Sequence, residues 1–86
     1  MIKLKTLKVD DILHWSLEGD HMLGKVVDVA DNSVKIIWYY DSDDSAESQQ
    51  SLGEPHTVDI RSNHGWMSYT DIITEEENLI FLLSHK

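Results

Sequence analysis

The sequence predicts a mainly β domain: a small antiparallel curved sheet or open barrel with a short C-terminal helix. Three observations lead there. The run Leu23 to Asp41 sets two arms of Val, Ile and aromatics around Ala30-Asp31-Asn32-Ser33. Such arms suit a pleated, half-buried surface, and the cluster between them is turn chemistry, so the run reads as a central hairpin. Other segments alternate apolar and polar residues with period two, and the last dozen residues carry a helix-start signature.

The elements follow in order. Ile2 and Leu4 alternate with Lys3 and Lys5, which predicts an edge strand over 2–7 guarded by lysines. A strand over 11–17 puts Leu13, Trp15 and Leu17 on one face, His14 and Ser16 on the other. Glu18-Gly19-Asp20 reads as a turn into a strand over 22–30. The next strand, 33–40, is apolar on both faces, as expected of a strand covered on both sides. Strands over 56–62 and 65–70 flank Ser62-Asn63-His64-Gly65 and predict a second hairpin.

Thr74-Glu75-Glu76-Glu77 fits a capping box, with Thr74 as N-cap and Glu77 at the third helical position. Helix is expected over 75–84, with Leu79, Leu82 and Leu83 against the sheet and His85 and Lys86 at its negative end. The competing reading of Asn78 to Leu83 is a terminal strand, because the segment is also a short apolar run. Residues 1–86 form a single domain, interrupted at 41–55 by a stretch whose one large apolar residue is Leu52. That texture predicts a polar mobile loop.

Size and composition narrow the function. A chain of 86 residues buries only roughly 60% of its unfolded surface, so most large apolar side chains must serve as core. There is no cysteine, hence no disulfide framework or thiolate metal site. The opening residues lack the apolar stretch of a signal peptide, and no apolar run nears the roughly 18 residues of a membrane span. A soluble, cytoplasmic protein is expected. The net charge is −9 and unevenly spread. Residues 1–40 hold six acidic against five basic residues, whereas 41–86 hold ten acidic against Arg61 and Lys86. Direct nucleic-acid or membrane-surface binding is disfavoured, and a basic protein surface is the better electrostatic match. Equally, acidity alone keeps a small protein in solution.

Val9-Asp10-Asp11-Ile12-Leu13, then Gly24-Lys25-Val26-Val27-Asp28-Val29, then Val34-Lys35-Ile36-Ile37-Trp38 resemble the opening of Src-homology-3-like barrels of the Tudor and KOW type. Trp66 to Ile73 is similar to their last strand and the turn after it; Asp10 stands where such barrels usually carry glycine. The short acidic chain also resembles phage-encoded accessory proteins. The Tudor resemblance implies an aromatic cage for a methylated lysine or arginine, held by cation–π attraction. Trp38, Tyr39, Tyr40, Trp66 and Tyr69 are its candidates, each weighed against ordinary core and rim packing.

Other chemistry finds little footing. The five histidines are widely spaced, and none sits in a zinc signature. Asp41, Asp43 and Asp44 begin like a calcium loop. Ser45, Ala46 and Leu52 then occupy the positions needing a carboxylate or amide, a glycine and a glutamate. Ser16, His14 and Asp11 are near in sequence, which is not the geometry of a triad. No glycine-rich phosphate loop is present. Neither catalysis nor a metal or cofactor is expected, and composition sets no oligomeric state.

What remains is an acidic interaction module. Asp41, Asp43, Asp44, Glu47, Glu54, Asp59, Glu75, Glu76 and Glu77 are the expected partner-binding residues. Spaced carboxylates on a scaffold imitate the phosphate rows of a duplex. The expected partner is therefore a basic protein, such as a nucleic-acid-binding enzyme or transcription protein that a DNA mimic would inhibit.

Overall fold

The computed structural model describes residues 1–84. The strands are β1 (Ile2–Lys3), β2 (Ile12–Leu17), β3 (Asp20–Val29), β4 (Ser33–Asp41), β5 (Pro55–Asp59), β6 (Trp66–Met67) and β7 (Thr70–Ile73). The helices are α1 (Ala46–Gln50) and α2 (Glu75–Ser84). The main sheet is antiparallel, in the order β5-β4-β3-β2-β7, and β1 pairs with β6 in a separate ribbon. The sheet is open, with β5 and β7 as its edges.

Turn chemistry sets the register of the central strands. Leu17 pairs with Asp20 across Glu18-Gly19, whose φ values of 51° and 87° are those a tight two-residue hairpin loop requires. The Asp31-Asn32 turn is closed by the Ala30 amide donating to the Ser33 carbonyl at 2.8 Å. Asp10, at φ 78°, adopts the left-handed backbone that glycine favours, which aspartate tolerates better than most residues.

One sheet face carries the main core. Leu13, Val26, Val34 and Ile36 are fully buried there with Leu4 and Leu7 from the N-terminal segment, and Trp38, Val58, Ile60 and Met67 pack around them. The expected strand over 2–7 is cut short after Lys3 by a 3-10 turn, Leu4–Thr6. The turn brings Leu4 and Leu7, three apart, into the core together, which strict alternation would not allow.

The expected second hairpin does not form. β5 lies beside β4, and residues 60–65 carry the chain across to β6, which pairs with β1. Tyr69, at φ 59°, then bends the chain and splits the expected strand over 65–70, so that β7 joins β2.

α2 covers the opposite face of the sheet. Its start is the expected capping box: the Glu77 amide donates to Thr74 Oγ1 at 3.1 Å, and the Thr74 amide donates to Glu77 Oε1 at 3.2 Å. Replacing Thr74 by alanine should cost about 0.5–2 kcal/mol, read as a lower unfolding midpoint in urea. An unchanged midpoint would show that the box does not hold the helix.

The docked side of α2 matches the expected one only in part: Leu82 is half-buried as expected, but Leu79 and Leu83 are not. Asn78, Phe81 and Leu82 are half-buried, whereas Leu79, Ile80 and Leu83 are 57%, 56% and 61% exposed. A bulge in β4 explains the choice. Leu23 pairs with Tyr40 and Gly24 with Trp38, leaving Tyr39 as an extra residue. The extra residue breaks the alternation, and both tyrosines serve the helix side. Tyr39 donates its hydroxyl proton to Asn78 Oδ1, and Tyr40 meets Phe81 edge-on with centroids 5.7 Å apart. Rings and a phenol thus join the aliphatic Ile12 in receiving the helix.

Candidate functional site

The segment 41–55, expected to be a polar mobile loop, contains α1 and a lattice of local hydrogen bonds. Asp41 Oδ1 accepts from the Asp43 amide at 2.9 Å, and Asp43 Oδ1 from the Ser45 amide at 3.0 Å. Asp43 Oδ2 accepts from the Ser48 hydroxyl at 2.9 Å, while Ser45 Oγ caps the helix through the Ser48 amide. Gln49 Nε2 donates to the carbonyls of Asp41 and Asp43. The Asp and Ser side chains thereby supply the local order that apolar anchors would otherwise give. Hydrogen bonds from Ser45 and Ser48 also lower the Asp43 carboxyl pKa below its ordinary value.

The nine expected acidic residues therefore divide by role. Asp41 and Asp43 hold the segment, and Glu77 holds the start of α2. Asp59 takes two guanidinium hydrogen bonds and the backbone amide of Arg61, which bring its pKa down to about 2. Its negative charge is already matched. Among the described residues no hydrogen bond or ion pair engages the carboxylates of Asp44, Glu47 or Glu54, and all three residues are exposed. Glu75 and Glu76 are exposed on the first turn of α2.

The five expected ring residues are divided as well. Trp38 packs on the core side, while Tyr39 and Tyr40 lie on the α2 side. Trp66 is on the β1–β6 ribbon, where the Lys3 ammonium sits 5.3 Å from its ring centroid. Tyr69 is 57% exposed in the bend before β7.

Beneath the first half of α2 is an open groove of about 350 Å³ lined by Ile12, Lys25, Tyr39, Glu75, Asn78 and Leu79. Its polar end holds Lys25, whose Nζ is 3.8 Å from Asp10 Oδ1, and Tyr39, whose phenol pKa is raised by burial. Under the second half, His14 Nε2 and His21 Nδ1 share a 3.0 Å hydrogen bond, and Phe81 caps both rings at about 5 Å. The pair is hard to see in the sequence because seven residues separate its members. The Glu18-Gly19 turn held the signal, since it folds position 16 onto 21 and 14 onto 23, bringing 14 and 21 diagonally together.

Among the described residues no three His, Asp or Glu side chains are grouped to hold a metal ion, and no helix is long and apolar enough to cross a membrane. No family model matches the chain, and no curated protein or solved structure shows significant similarity to it.

Proposed function

We propose that this protein is a non-catalytic, acidic interaction module that binds a basic protein surface. The observation that carries the reading is the hydrogen-bonded frame of residues 41–50, which leaves Asp44 and Glu47 exposed and unengaged beside it. A fixed frame lowers the ordering cost of binding and keeps like charges at set spacings. Charges so held attract a basic partner over distance and raise the association rate. In its finer form the proposal is charge mimicry: the carboxylates occupy a groove that otherwise takes nucleic-acid phosphates, and the protein inhibits its owner.

The test is competition. A basic DNA-binding protein immobilised on duplex DNA should be released by this protein at low salt. Release should weaken steeply as salt rises and the screening length shrinks to about 10 Å at 0.1 M. The variant Asp44→Asn/Glu47→Gln/Glu54→Gln should reduce the association rate and leave the unfolding midpoint unchanged. Asp41 and Asp43 stay in place because they hold α1. A partner bound equally well by this variant would overturn the proposal.

A further inference from the structure

We infer that the outward stripe of α2 is the anchor of the partner surface, and that it receives a basic amphipathic segment of another protein. The inference rests on the proposed function and gives it a second, apolar component. Leu79, Ile80 and Leu83 stand more than half exposed, although a short chain needs its large apolar residues inside. Their positions relative to Glu76 are i+3, i+4 and i+7, so all four lie along one helical stripe. The stripe borders the open groove, because Leu79 belongs to both. Acid at one end and leucine-rich surface at the other match a partner segment whose apolar side chains lie beside Lys or Arg.

Charge decides between the candidate occupants. A second copy of this chain seated on the same stripe would bring together two C-terminal halves, each with ten acidic residues against two basic ones. Such self-pairing is opposed by repulsion, whereas a basic partner gains attraction over the same surface. Apolar contact then supplies the short-range term that charge alone lacks, and it slows dissociation.

The experiment uses a synthetic Leu/Lys peptide of about four helical turns and a control peptide in which every leucine is glutamine, leaving the charge unchanged. The protein should bind the Leu/Lys peptide about tenfold or more tightly than the control, with amide shifts concentrated at 75–84. The variant Leu79→Gln/Ile80→Gln/Leu83→Gln keeps good helix formers at exposed positions and should erase that preference while retaining the weaker, salt-sensitive binding. Equal affinity for the two peptides, or shifts confined to 41–54, would overturn the inference and leave the proposed function standing. Failure to bind either peptide at low salt would sink both. A dimer of the protein alone that the triple variant dissociates would assign the stripe to a second copy and overturn the inference.

Discussion

Replacing Gly24 by alanine should destabilise the protein by about 1–3 kcal/mol, a cost typical of overpacking. A Cβ built at Gly24 would lie 2.6 Å and 2.9 Å from two carbons of the Trp38 indole and 3.1 Å from the Ile37 carbonyl oxygen. The ring cannot easily retreat, because Trp38 packs against the buried cluster. Denaturant unfolding of Gly24→Ala in the natural background and beside Trp38→Leu gives the coupling. Most of the cost should vanish when the ring is gone. An equal loss in both backgrounds would show that the indole does not require glycine beneath it.

The larger expected effect belongs to Leu13→Ala. Leu13 is 0% exposed and its strand, β2, lies between β3 and β7. Deleting a buried leucine side chain costs about 2–5 kcal/mol, depending on how far the surroundings close the cavity. Domains of this kind hold only about 5–15 kcal/mol in total, so the variant should lose much of its stability. The unfolding midpoint in urea should fall with little change in slope. A loss below about 1 kcal/mol would place Leu13 at a site that collapses readily, contrary to its place in the cluster.

Period-two patterning in β2 and β4, the Val-rich run of β3 and the turn chemistry between them located the central strands within a residue or two. The capping box at Thr74 likewise announced the start of α2. Pairing was harder to read. The strand-like pattern at 57–61 looks the same whether its neighbour is the next strand or an earlier one, and only the backbone between 60 and 65 decides that it is β4. The side of α2 that docks was hidden for a related reason. Counting aliphatic residues favours Leu79 and Leu83, yet the β4 bulge presents Tyr39 and Tyr40, and Asn78 and Phe81 answer them. Of the candidate site, the acidic character was plain in the sequence. Which carboxylates are spent on Asp–Ser turns and caps follows from local geometry, visible only in part as Ser residues two and five positions after Asp43.

The placement of β2 has a consequence for how the chain reaches its native state. β2, β3 and β4 are consecutive and joined by short turns, so their contacts close early and locally. β7 then completes the far side of β2 by pairing Ile12 with Ile73, while Ile2 meets Met67 across the ribbon. During synthesis the β2–β4 meander can assemble first, with one flank of β2 exposed until residues near 73 have left the ribosome. That flank is an unpaired, half-apolar strand, the kind that seeks pairing partners in other chains. Lengthening the segment between β5 and β6 should prolong its exposure and raise aggregation during refolding, even where the final fold is equally stable.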